Sequence, residues 1–190
     1  TIQQLHLTPR IEPQQRALSW QISTPGRCHA YTDAYGNFSH MLTINGSHQS
    51  LSQVAHGVVE TIYPHKGRLN LIDTLSPLLF TMPTALTQAN PAILELAAAS
   101  LPDQRVTAGT GHLLRLAEHI VGKVAYESGA TMVTTTAGDA PALGRGVCQD
   151  HAHLFLACCH ACGIPARYVS GYIDPGTTGH AASHAWVDAW

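Results

Sequence analysis

Short stretches in which apolar and polar residues alternate fill the first third of the chain: Leu5 and Leu7, then Leu18, Trp20 and Ile22, then Phe38, His40, Leu42 and Ile44. A period of two predicts strands with one face turned to a core. Pro25-Gly26, Tyr35-Gly36-Asn37 and Asn45-Gly46 punctuate these runs as turns, and Leu51 to Val59 offers one more strand. Residues 1–68 are therefore expected to form a small antiparallel β-sandwich or barrel. The stretch from about 64 to 90 carries three prolines and little period, which places the domain boundary there, with 69–90 as the connecting segment.

After Asn90-Pro91 the period lengthens. Ile93, Leu94, Leu96, Ala97 and Leu101 have helical spacing behind a capping residue and a first-turn proline, so a helix is predicted over about 91–100. A second, over about 110–127, sets Leu113, Leu116, Ile120, Val121 and Val124 against Arg115, Glu118 and Lys123. A Thr-, Ala- and Gly-bearing loop, Thr131 to Arg145, leads to a third helix from Cys148 to Cys162 that Gly163-Ile164-Pro165 stops. Two strands follow, Ala166 to Ile173 and Ser183 to Trp190, joined by a turn at Asp174 to Gly179. The fold class read from this order is α+β, with residues 91–190 as the second domain.

Composition narrows the classes. The chain has 190 residues, 45% of them apolar and 12% charged, which excludes fibrous and disordered readings. Ten Lys+Arg against 12 Asp+Glu give a formal charge of −2 with no basic cluster, so neither nucleic acid nor an anionic membrane surface is an expected partner. The longest apolar runs are a few residues, far short of the roughly 20 that span a bilayer. Five cysteines, four of them within residues 148–162, suit a reducing compartment better than a disulfide framework, and a cytoplasmic location is expected.

Cys148 follows a glycine-bearing loop and opens a helix, where unpaired N–H groups and the helix dipole favour a thiolate. A thiolate that attacks an amide needs a base to take its proton and return it to the leaving amine, and His184, on a short alternating strand, is the candidate. The rival reading is a zinc site from His151, His153, Cys159 and Cys162. On an intact helix His151 and His153 lie about 200° apart, which keeps them out of one tetrahedral site. Cys159 and Cys162 sit at a helix end rather than at the start that would activate a redox pair, so Cys158, Cys159 and Cys162 are read as packing residues. No metal and no cofactor is expected.

Three ordered motifs, Gly146-Val-Cys-Gln-Asp-His-Ala-His153, Gly163-Ile-Pro-Ala-Arg-Tyr-Val-Ser-Gly-Tyr172 and Ser183-His-Ala-Trp-Val-Asp188, closely resemble the core of bacterial transglutaminase-like proteins, a branch of the papain-like cysteine hydrolases. Pro9-Arg10, Gln15 and Asp33-Ala-Tyr-Gly-Asn37 resemble the β-rich N-terminal region that accompanies this core. The resemblance implies a papain-like core of helices on an antiparallel sheet, C-terminally incomplete here, with Cys148 as nucleophile and His184 as general base and acid. It also implies an Asp on the strand after His184 that orients the imidazole, which is expected beyond Trp190. At His151 relatives commonly have an aromatic, and the change is read as one of packing or of the cleft rim.

Other residues are weighed against these roles. Asp188 shares a strand face with His184 but lies about 13 Å along it, too far to orient the ring, and is read as a solvated or salt-bridged residue. Asp174-Pro175 matches the missing motif only by composition. Asp150 is expected to satisfy N–H groups of the first helical turn and to brace the loop. The backbone N–H of Cys148 is the expected oxyanion donor. Gly146 and Trp186 are candidate cleft walls, with Trp190 on the same face as Trp186 and His184. The expected activity is that of a cysteine protease or amidase acting on peptide or isopeptide bonds of a peptide or protein substrate. An amine-accepting transglutaminase and a catalytically inactive binding module with the same fold remain open.

Overall fold

The computed structural model describes residues 1–63, 67–69, 75–102, 108–173 and 183–190, which divide into two compact units, Thr1–Leu75 and Ser76–Trp190. The turn expected at 174–179, with Asp174-Pro175 in it, lies outside the described residues. Of the stretch 69–90, residues from Ser76 on belong to the second unit, where a 3₁₀ helix, Pro77–Thr81, is capped by the Ser76 hydroxyl.

Five strands make up the two sheets of the first unit among its described residues. Strands β1 (Ile2–Leu5), β4 (Phe38–Thr43) and β3 (Arg27–Thr32) form one antiparallel sheet in the order β1-β4-β3, and β2 (Gln15–Ser23) pairs with β5 (Val54–Thr61) in another. Two separate sheets, rather than a closed barrel, result. The reason is local: β2 does not turn back on β3 at Pro25-Gly26, but pairs across 30 residues or more with β5, in a register that runs from Gln15↔Thr61 to Ser23↔Val54. Gly57 makes that pairing close, since a Cβ there would stand 2.7 Å from the Trp20 ring. The β3–β4 hairpin closes as its residues suggest: the Asp33 carboxylate accepts the N–H groups of Tyr35 and Asn37, and Gly36 takes the left-handed φ of 77°.

Among its described residues the second unit holds four α-helices and two two-stranded sheets. Helix α1 (Pro91–Ser100) starts where Asn90 Oδ1 accepts the Ile93 N–H at 2.9 Å. Helix α2 (Thr110–Lys123) follows, then β6 (Ala125–Tyr126), the one-turn helix α3 (Asp139–Leu143), β7 (Arg145–Gly146) and helix α4 (Cys148–Ala161). α2 is shorter than its apolar pattern because Ala125 and Tyr126 leave the helix to pair in parallel with Arg145 and Gly146. α4 ends in paired bonds, Ile164 N–H to the Cys159 carbonyl and Gly163 N–H to that of His160, with Gly163 at φ 69°. Strands β8 (Ala166–Tyr172) and β9 (Ser183–Ala189) pair antiparallel. Ile93, Leu96, Leu116, Ile120, Val124, Leu154, Ala157, Cys158 and Cys159 form the core between them. Among the described residues no helix is long and apolar enough to cross a membrane.

Candidate active site

Cys148 is the first residue of α4 and is half-buried with a free thiol. In the first turn of this helix the Asp150 N–H bonds the Val147 carbonyl at 3.0 Å, and the positive end of the helix dipole lies at the Cys148 end. Asp150 explains why the helix begins here. Its Oδ2 accepts the Val147 N–H at 2.7 Å and the Thr131 hydroxyl at 2.6 Å, and the residue is 1% exposed. One carboxylate thus ties the residue before the cysteine, the first turn of α4 and the start of the preceding loop. Gly146, expected as a cleft wall, does not line the cleft. It is buried against Asp150, and a Cβ on it would stand 2.8 Å from Oδ2.

His184 sits on β9 opposite Gly171 of β8. Alternation turns Ala185 and Val187 to the core and sets His184, Trp186 and Asp188 on the other face. The His184 and Trp186 rings are 6.3 Å apart and inclined by 29°. Trp186 can lie across Gly171 only because that residue lacks a Cβ, which would come within 2.8 Å of the indole.

Cys148 and His184 line one cleft of about 280 Å³, together with Ile120 and Val121 of α2, Tyr126, His151 and Phe155, and Trp186. No hydrogen bond joins the thiol to the imidazole among the described residues. His151 belongs to the wall rather than to a metal site. Its Nε2 lies 2.8 Å from the Val124 carbonyl oxygen, which can only accept, so Nε2 carries the ring proton and Nδ1 of the neutral ring is an acceptor.

His153 is buried, and burial holds its pKa below the ordinary imidazole value, against the opposing pull of a hydrogen bond to the Thr135 carbonyl and of the nearby Asp150 charge. Its ring is 5.5 Å from that of Tyr168, whose phenol is pushed up by burial and by the charges of Cys148 and Asp150. Tyr168 stands on β8, the strand that follows α4. The signal that could have found it is its place on the strand directly after the cysteine helix.

Cys158 and Cys159 lie in the core, and Cys162 packs against it. Burial, with Cys162 nearby, pushes the Cys158 thiol up to about 12, and burial also raises Cys159 and Cys162. The Cys158 thiol points at the Ile93 carbonyl, 3.8 Å away. Among the described residues no three His, Cys, Asp or Glu side chains come together as metal ligands. Asp188 does not approach His184: its Oδ2 accepts from Nε and a terminal nitrogen of Arg167 at 3.1 and 3.0 Å. That guanidinium lies 5.8 Å from the Phe80 ring centroid and 5.3 Å from that of Trp190. Trp190 therefore clamps Arg167 and is not among the cleft residues.

The whole chain has known relatives. The family described as Transglutaminase-like superfamily matches residues 100–190, and the Bacterial transglutaminase-like N-terminal region matches residues 1–60. An uncharacterized protein of Mycobacterium leprae is 31% identical over 97% of this chain and 71% of its own length, and another from Mycobacterium tuberculosis is 30% identical over 97% of this chain and 66% of its own. A crystal structure from Cytophaga hutchinsonii, named as that of a putative cysteine protease, superposes with a TM-score of 0.74 at 22% identity, over 98% of this chain and 66% of that one. The chain belongs to the transglutaminase-like superfamily, and its fold is the cysteine-protease-like fold of that group.

Proposed function

We propose that the chain is a cysteine protease or amidase that cleaves peptide or isopeptide bonds through a thioester on Cys148. The observation that carries this reading is the convergence of Cys148, at the start of α4, and His184, from β9, on a single cleft. His184 takes the thiol proton, the thiolate sulfur bonds to the amide carbonyl carbon, and the backbone N–H of Cys148 stabilises the oxyanion. Collapse of this intermediate breaks the C–N bond, and the leaving amine takes the proton from His184. Water then attacks the thioester, gives its proton through His184 to the departing sulfur, and releases the acid. Neither step requires a metal or a cofactor.

Hydrolysis is favoured over transamidation, because water reaches an open cleft without a dedicated site and no lining residue among those described marks a place for an amine. Hydrolysis of a peptide or isopeptide library, with and without an added primary amine, tests it. Cys148→Ala should abolish turnover, whereas Cys159→Ala should retain most of it. Equal loss from both substitutions would assign the effect to folding, and an amine adduct as the main product would make the acceptor an amine.

A further inference from the structure

The cleft is built to take a side chain of one chemical kind. Of the described residues that line it, none is Lys, Arg, Asp or Glu. Its walls are Ile120, Val121, Tyr126, Phe155 and Trp186, and the polar groups its described lining residues carry are the Cys148 thiol, the imidazoles of His151 and His184, the Tyr126 hydroxyl and the Trp186 indole N–H. At about 280 Å³ it lies near the lower end of ligand pockets, which run from about 300 to 1,000 Å³, and so suits one large side chain with its flanking amides rather than a folded segment. A charged side chain entering it would lose water and find no opposite charge among the described residues, which is unfavourable, whereas an apolar one would shed water against apolar walls.

We infer that the cleft beside Cys148 is a subsite for a single uncharged, apolar or aromatic side chain of the substrate, with His151 Nδ1 accepting a hydrogen bond from a substrate amide N–H. The inference deepens the proposed function and rests on it for the word substrate. The His151 part follows from its fixed tautomer. With Nε2–H committed to the Val124 carbonyl, the ring in its uncharged form offers Nδ1 as an acceptor, and Nδ1 has no protein partner among the described residues. A backbone amide of a bound peptide supplies the donor that such an acceptor selects.

The test needs no turnover. N-acetylated amides of Phe, Leu, Asp and Lys are titrated into the protein, with the NMR signals of the Val121 methyls and the Trp186 indole followed. The expected result is that the Phe and Leu amides bind about ten-fold or more tightly than the Asp and Lys amides and shift both signals, a ratio in the range that hydrophobic pockets achieve. Val121 is 66% exposed, so Val121→Asp should fold and should reduce the preference for Phe over Lys by a similar factor. His151→Phe should keep the apolar preference but weaken the Phe amide relative to its N-methylated analogue, which lacks the donor. Equal affinity across the series, or no shift at Val121 and Trp186, overturns the subsite. Labelling of Cys148 by iodoacetamide tests the nucleophile separately. A reactive Cys148 without apolar preference removes the subsite alone, and an apolar preference beside an inert Cys148 keeps the subsite and removes the enzyme.

Discussion

The Asp150 carboxylate occupies the space in which any side chain on Gly146 would have to stand, with Oδ2 2.8 Å from the ideal Cβ position. That close approach lets one oxygen hold the Val147 N–H and the Thr131 hydroxyl, and so fixes the entry to the helix that begins at Cys148. The placement of Cys148 at the start of α4 therefore depends on the Asp150 carboxylate.

Gly146→Ala should push this carboxylate away and cost about 1–3 kcal/mol, as overpacking does. Asp150→Ala should cost about 2–3 kcal/mol, because it leaves a buried N–H and a hydroxyl without their charged acceptor. Both substitutions should slow alkylation of Cys148 while leaving the exposed Cys28 unchanged. Urea melts and peptide-mapped labelling check the two effects.

The Arg167–Asp188 pair is expected to support the fold and not the chemistry. Its partners are about one-tenth exposed and enclosed by Phe80 and Trp190. Asp188→Ala should lower stability by about 2 kcal/mol, the contribution of a poorly solvated charged hydrogen bond. At a temperature where the variant remains folded, Cys148 labelling should match that of the unaltered protein.

His153 makes stability depend on pH in a defined direction. Burial lowers its pKa in the folded state relative to the unfolded chain, so between the two values the unfolded chain binds more protons. The associated stability is fully present above the ordinary imidazole pKa of about 6.5 and is lost as pH falls through the lower folded value. Urea midpoints should fall from pH 7.5 to pH 5, and His153→Gln should flatten that slope. An identical slope in the variant would remove His153 from the account.

Most of the second unit was legible in the sequence. Apolar residues at helical spacing marked α1, α2 and α4, Asn90-Pro91 and Gly163 marked their ends, and the three motifs singled out Cys148 and His184. What escaped was decided by distant parts of the chain. β3 was not read because Arg27–Thr32 is exposed at nearly every position and shows no alternation. Pro25-Gly26 looks like a hairpin turn, yet β2 finds its partner in β5, and nothing local distinguishes the two pairings. α3 is a single turn of five residues, too short for any period. Gly146 was read by its place beside Cys148, whereas its role lies in its contact with Asp150. The Arg167 clamp needs Phe80 and Trp190, which are more than 100 positions apart.

The measurement that tests the central claim most directly is the pH dependence of alkylation at each cysteine by iodoacetamide, resolved by peptide mapping. The protein carries its own standards: Cys28 is exposed, and Cys158 and Cys159 are buried with raised pKa values. The account predicts that Cys148 reacts fastest across the pH range, while the exposed Cys28 reacts more slowly and the buried pair stays inert. A Cys148 profile that coincides with that of Cys28 would contradict an activated nucleophile at the start of α4.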